Sequence, residues 1–209
     1  MYQRNIKHSR VKNLFKFASL KNRASLTLES SLEFDACFHF EYNKSISSFK
    51  AQPVGFRYQY FGKCLPYTPD FWISTIDGKQ TFYEVKYSNE VRDPEVNQRF
   101  RYKQKSCIEL GIDLKLITER QLHKGSLLNN LKLLHRYAGK SKCHAELESI
   151  ILLVSNMGVV TMRELLNKSK FTQGDLNKYV LTAVSQGLLQ FDLGAKPFGL
   201  ETELTIAYE

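Results

Sequence analysis

Tyr67-Thr68-Pro69-Asp70-Phe71-Trp72-Ile73-Ser74-Thr75-Ile76-Asp77-Gly78-Lys79-Gln80-Thr81-Phe82-Tyr83-Glu84-Val85-Lys86-Tyr87 is the stretch that decides the fold. Phe71 and Ile73 alternate with Asp70 and Trp72, and Tyr83 and Val85 with Glu84 and Lys86. Both runs are rich in aromatic and β-branched residues, as strands are. Ile76-Asp77-Gly78 reads as the loop of a hairpin, with Gly78 in the left-handed conformation such loops need. That loop sets Thr75 against Lys79 and Asp70 against Glu84, and cross-strand partners have Cβ atoms about 5 Å apart.

Two ionised carboxylates that close repel, so they need a shared proton or a cation between them. A divalent metal with oxygen ligands is the natural cation. Lys86, two residues past Glu84, shares its face, where its ammonium can hold a water or offset charge on a phosphate. Two acids and a lysine on one surface point to metal-assisted phosphodiester hydrolysis, in which Mg²⁺ binds through one or two carboxylates and keeps part of its water shell. The plain alternative is a solvated cross-strand salt bridge.

Pro69, Asp70, Glu84 and Lys86 resemble the motif of the PD-(D/E)xK nuclease superfamily. A longer set of landmarks in one order adds to it: Ser31-Leu32-Glu33, Gln52-Pro53, Tyr58, Gly62-Lys63, Tyr67 to Phe71, Glu84 to Lys86 and Ile117-Thr118-Glu119. Over residues 29–120 the chain thereby resembles the TnsA family, the endonuclease subunit of heteromeric Tn7-like transposases. The resemblance implies a restriction-endonuclease-like mixed sheet flanked by helices. It implies Glu33, Asp70 and Glu84 as metal ligands, with Glu29 as the alternative to Glu33, and Lys86 as the fourth catalytic residue. The implied cofactor is Mg²⁺, for which Mn²⁺ can substitute. The implied activity is cleavage of the non-transferred strand at transposon ends, alongside a DDE-type (TnsB-like) transposase and an AAA+ (TnsC-like) ATPase.

The chain has 209 residues and 43% hydrophobic content, enough for one ordinary domain and a small second one. Its formal charge of +9 is uneven: residues 1–28 hold seven Lys or Arg and no acid, leaving 23 basic and 21 acidic residues elsewhere. Residues 1–28 are therefore read as a basic arm that attracts phosphate backbones without fixed structure, with a transit peptide as a lesser alternative. No apolar run is long enough to span a membrane, and the scattered Cys37, Cys64, Cys107 and Cys143 fit reduced thiols in the cytoplasm. A zinc site on Cys143 and His144 lacks two further ligands at usable spacing. There is no P-loop and no G-x-S-x-G elbow, so neither nucleotide hydrolysis nor serine hydrolase chemistry has support.

Residues 29–42 pull both ways. Alternation of Leu32, Phe34, Ala36, Phe38 and Phe40 with polar residues favours a strand, whereas Ser30-Ser31 as caps and the stripe Leu32, Ala36, Phe40 favour a helix, as does the resemblance. The expectation is a helix. Strands follow over residues 47–61, with Val54, Phe56, Tyr58 and Tyr60 on one face. Asp93-Pro94 opens a helix running to Leu110, with Val96, Phe100, Cys107 and Ile108 inward and Arg99, Arg101, Lys103 and Lys105 as candidate DNA contacts. A strand through Ile112, Leu114 and Leu116 ends at Thr118, and a helix over residues 127–137 closes a nuclease domain placed at residues 29–138. Residues 139–209 read as three helices and two short strands, a winged-helix-like domain. Its third helix carries only Lys178 as a base, so a protein-contact surface is at least as well supported as a DNA reader.

The preferred function is thus an endonuclease subunit of a transposase. The alternatives are a stand-alone restriction or repair nuclease of the same fold and a non-catalytic DNA-binding or assembly module.

Overall fold

The structure, a computed structural model, describes residues 13–139 and 144–207. The chain divides into two compact units, residues 1–122 and 123–209.

The first unit opens with a hairpin, β1 (Phe15–Ser19) and β2 (Ala24–Leu28), followed by helix α1 (Ser31–Tyr42). Residues 13–28, expected as part of a structureless arm, are therefore ordered. Phe15 and Phe17 alternate with Lys16 and Ala18, and Phe17 packs edge-on against Phe34 and Phe38 of α1. Lys21 ties the hairpin turn to the end of α1, its ammonium donating to the Phe40 and Asn43 carbonyls and its N–H to the Glu41 carboxylate. Residues 1–12 lie outside the described residues.

The helix expected over residues 29–42 is present. Ser30 caps it, accepting from the Glu33 N–H. Leu32, Ala36, Cys37, Phe38 and Phe40 are all buried, so α1 is enclosed on most of its circumference. Enclosure explains the misleading alternation, since a helix buried nearly all round, Glu33, Asp35 and Glu41 included, has no single 3.6-residue apolar stripe.

The main sheet has the order β3-β6-β7-β8, with β3 (Ile46–Ala51), β6 (Phe71–Thr75), β7 (Gln80–Val85) and β8 (Asp113–Ile117). β3 and β7 flank β6 antiparallel, and β8 runs parallel to β7, making the sheet mixed. Between β3 and β6 the chain builds a separate hairpin, β4 (Phe56–Tyr60) and β5 (Lys63–Tyr67). The strands expected over residues 47–61 are β3 and β4, whereas β5 was not foreseen, and Val54, expected on one strand face with Phe56 and Tyr58, precedes β4 and is 50% exposed. A short turn of helix, α2 (Ser88–Val91), leads to α3 (Pro94–Glu109), which Asp93 caps through the N–H groups of Glu95 and Val96. α4 (Glu119–Leu122) ends the unit.

Alternation divides the sheet into two faces. Phe71, Ile73 and Phe49 face α1, where Phe40 packs against Phe71 and Phe49. Phe82 and Leu114 face the other way, in a cluster with Tyr58, Tyr67 and Cys107 that joins α3 to the β4-β5 hairpin.

The second unit holds α5 (Leu127–Tyr137), α6 (His144–Met157), β9 (Val160–Thr161), α7 (Met162–Lys168), α8 (Gln173–Ser185), β10 (Leu189–Gln190) and β11 (Glu203–Ile206). The helices expected after residue 139 are present, and the strands form a sheet of order β10-β11-β9. β9 was not foreseen: two residues carry no readable alternation. α5 was expected with the nuclease domain but falls in this unit, where it packs on α8. Asn130 of α5, 2% exposed, explains why. Its amide nitrogen donates to the Leu193 and Lys196 carbonyls, and its amide oxygen accepts from the Phe198 N–H. All three bonds go to the loop between β10 and β11, which has almost no regular structure of its own. Asn130→Ala is expected to destabilise this unit by about 2 kcal/mol, because the loop loses three part-buried hydrogen bonds to one buried side chain. A urea unfolding curve measures it; an unchanged midpoint refutes the role.

No helix among the described residues is long and apolar enough to cross a membrane.

Candidate active site

The hairpin register is the one the sequence expects. Phe71 pairs with Tyr83 and Ser74 with Gln80, which carries Asp70 to the position opposite Glu84. The Thr75 N–H donates to the Lys79 carbonyl at 3.0 Å, and Gly78 turns the loop with φ +82°. At the open end of this hairpin lies a cavity of about 640 Å³ that Glu33, Asp70, Glu84, Lys86, Tyr67 and Lys103 all line.

Each carboxylate is held differently. One oxygen of Asp70 accepts from the Val85 N–H at 2.7 Å, and its carbonyl accepts from the Gln52 N–H at 2.8 Å, so both strands beside it fix its position. Burial, then the neighbouring Glu84 and Glu33 carboxylates, push the Asp70 carboxyl well above the usual range. Glu84 is 4% exposed. One of its oxygens accepts from the Tyr67 hydroxyl, and the other lies 3.0 Å from the Lys103 ammonium and 3.5 Å from that of Lys86. Glu33 is buried in the first turn of α1, where its carboxylate accepts from the Ser30 hydroxyl at 2.9 Å and the Glu29 N–H at 3.0 Å. The same side chain thus closes the start of the helix and lines the cavity. Glu29 lines it too.

The bases respond to these acids. Burial, the largest single influence, pulls the Lys86 ammonium down, but Glu84, Asp70 and Glu90 more than offset it, so its pKa rises. Tyr67 is pushed well above its ordinary value, by burial and then by Glu84, and stays a protonated donor. The Cys107 thiol, buried behind Glu84, is driven up to about 12 and is inert.

Lys103 is the main departure from the sequence reading, which placed it on an outer DNA-facing surface. The inward stripe of α3 runs through Val96, Phe100, Lys103 and Cys107, spaced four, three and four residues apart. Lys103 fills a core-facing position, its ammonium 4.1 Å from the centre of the Tyr67 ring. Ile108, expected inward, is 68% exposed because it falls about 100° from that stripe. A basic residue in an apolar stripe facing a strand that carries a buried acid was the available signal. Tyr67 was noticed only as part of the motif; nothing in the sequence marked its hydroxyl. Arg99, Arg101 and Lys105 are exposed on the outer side of α3, where Arg99 pairs with Glu95 at 2.8 Å.

Of the scattered cysteines, Cys37 and Cys107 are buried free thiols and Cys64 is an exposed one. Cys143 lies outside the described residues.

Among the described residues, no group of three or more His, Cys, Asp or Glu side chains forms a ready-made metal cage. Glu33 is turned to its helix start and Glu84 is engaged by Tyr67 and Lys103. The donor set nevertheless suits a hard divalent cation that keeps most of its waters, because such an ion needs only one or two carboxylates. The Asp70 carboxylate, crowded by two others, is where added positive charge relieves most repulsion.

No curated protein matches the chain. Residues 43–119 match the family model described as TnsA-like endonuclease N terminal, a stretch that includes Asp70, Glu84, Lys86 and Lys103 and leaves Glu33 outside. The acidic hairpin therefore lies in a stretch that matches a TnsA-like endonuclease N-terminal domain, a nuclease related to that of Tn7 transposition.

Proposed function

We propose that the chain is a metal-dependent DNA endonuclease subunit of a transposase, cutting the non-transferred strand at transposon ends. The observation that carries this reading is the placement of Asp70 opposite Glu84, with Lys86 on the same face and Glu33 lining the same cavity. Asp70 and Glu84, with Glu33, would hold Mg²⁺. When bound, the ion neutralises charge developing on the phosphate and makes an attacking water more acidic.

The chain's own residues do the rest. Lys86, its ammonium kept charged by Glu84 and Asp70, donates a hydrogen bond to the water and holds it in line with the scissile phosphorus. The Val85 N–H fixes which Asp70 oxygen stays inside the protein and which faces the cavity. Tyr67 and Lys103 clamp the Glu84 carboxylate from behind, so its geometry does not depend on the substrate. Exposed Arg99, Arg101 and Lys105 are proposed contacts to the phosphate backbone.

We read the second unit as a winged-helix-like domain, supported by its helices and the β10-β11-β9 sheet. α8 presents little positive charge, with Lys178 lying 5.3 Å from the Tyr179 ring. Its proposed role is docking onto an AAA+ ATPase partner, while the nuclease unit works beside a DDE-type transposase.

Nicking of end-bearing DNA in Mg²⁺ tests the reading, with wild type, Asp70→Ala and Lys86→Ala each assayed with and without the two partners. Strand-specific nicks that need the partners and vanish in both variants support it. Cutting without partners favours a stand-alone nuclease. Absence of metal-dependent cutting under every condition, with binding intact, leaves an assembly module.

A further inference from the structure

The β4-β5 hairpin ends in a two-residue turn, with Tyr60 paired to Lys63 and Phe61-Gly62 between them. Phe61 has φ +45° and Gly62 φ +76°. Turns with positive φ at both central positions favour Asn-Gly, and a bulky aromatic at the first is sterically disfavoured. The Phe61 ring is also 64% exposed. A large apolar ring is therefore held in water on strained backbone, at a cost that folding alone does not explain.

The ring is not free to swing. It stands edge-on to Tyr60 with centroids 4.8 Å apart and lies 5.7 Å from Tyr102 of α3, while Tyr60 and Tyr102 pack at 5.3 Å. Arg99 covers the Tyr60 ring at 5.2 Å. Residues 53–69 contain Arg57 and Lys63 and no acid, and Arg99 and Arg101 lie on the helix alongside. At the other end of the hairpin, Tyr67 bonds directly to Glu84. Five residue steps along β5 lead from Gly62 to Tyr67, about 17 Å at strand rise, or roughly five base pairs of duplex.

We propose that Phe61 is an aromatic wedge that enters the stack of duplex DNA at a base step near the cut and holds it open. The hairpin is fully paired and packs on α3, so the wedge sets the distance from the opened step to the acidic site. The surrounding cations match a phosphate backbone, and the exposed ring matches an unstacked base rather than solvent. This inference rests on the DNA-nuclease reading above.

The test uses the full chain, with partners where nicking needs them, on end-bearing duplexes carrying 2-aminopurine at successive positions within about eight base pairs of the cut. Phe61→Asn suits the turn and removes the wedge, and Phe61→Trp keeps a ring. Wild type and Phe61→Trp are expected to raise fluorescence at one step, and Phe61→Asn to raise it at none. Phe61→Asn should cut intact duplex roughly ten-fold more slowly and recover when that step carries an unpaired base, because the unstacking cost is then already met. Equal fluorescence and cutting in Phe61→Asn overturns the wedge, as does a defect confined to partner binding. The Asp70→Asn protein separates the two readings: it keeps the fluorescence change if the wedge is right, whether or not wild type proves to be a nuclease.

Discussion

Asp70→Asn is expected to abolish Mg²⁺-dependent nicking, by at least about 10³-fold, and at the same time to raise the stability of the metal-free protein. The activity loss follows from removing the charge on a proposed metal ligand whose place its neighbours cannot take, since Glu33 and Glu84 are themselves proposed ligands and each is already anchored by its own hydrogen bonds. The stability gain follows from the same crowding. The asparagine oxygen can still accept from the Val85 N–H, while repulsion from Glu84 and Glu33 disappears. For carboxylates about 5 Å apart at an effective dielectric near 20, that relief is on the order of 1–3 kcal/mol. A site that gains stability when its function is removed is what a charge-loaded active site should show, and a structural salt bridge should show the opposite.

The pH dependence fixes the sign independently. Asp70 titrates near 3.9 in the unfolded chain and well above that when folded. Between those values the folded state holds the extra proton, so this group's contribution is fully present below about pH 3.9 and is lost as pH rises through the folded value. Unfolding of metal-free wild type and Asp70→Asn should therefore diverge with rising pH, the variant becoming the more stable. Added Mg²⁺ should close the gap by stabilising wild type alone. A wild type that is the more stable at neutral pH without metal refutes the crowding.

Much of this site was legible in the sequence because it lies on a hairpin. A period of two, a Gly at the loop and a fixed count of residues determine which side chains face each other, so Asp70, Glu84 and Lys86 followed from arithmetic. Glu33 did not: it comes from a helix whose apolar residues mimic a strand, and only its relation to Ser30 marks the helix start. Lys16, Lys21 and Arg23 made residues 13–28 look like a charged tail, although Phe15 and Phe17 already alternated as an inward face. Charge counts overlook such pairs because long basic side chains can sit at the rim of an apolar surface. The β4-β5 hairpin was hidden for another reason. Its turn residue, Phe61, is one that turn statistics disfavour, so local preference and structure part where function provides a reason.

Lys103 brings the same conflict into the core, and Lys103→Met is expected to destabilise the nuclease unit by about 3 kcal/mol at pH 7. The Lys103 side chain is 15% exposed and that of Glu84 6%, so the pair is largely desolvated. Removing the cation leaves Glu84 with the Tyr67 hydroxyl and a longer contact to Lys86, insufficient to offset a buried carboxylate. Methionine occupies much the same volume, which separates the charge effect from a cavity effect. In a Glu84→Gln background, where no carboxylate remains to be compensated, Lys103→Met should cost less than about 1 kcal/mol. The four urea unfolding curves of this cycle measure the coupling. Were Lys103 a surface phosphate contact instead, the substitution would leave stability unchanged and lower the salt slope of DNA binding by about one. The geometry expects the reverse: a large change in stability and coupling to Glu84.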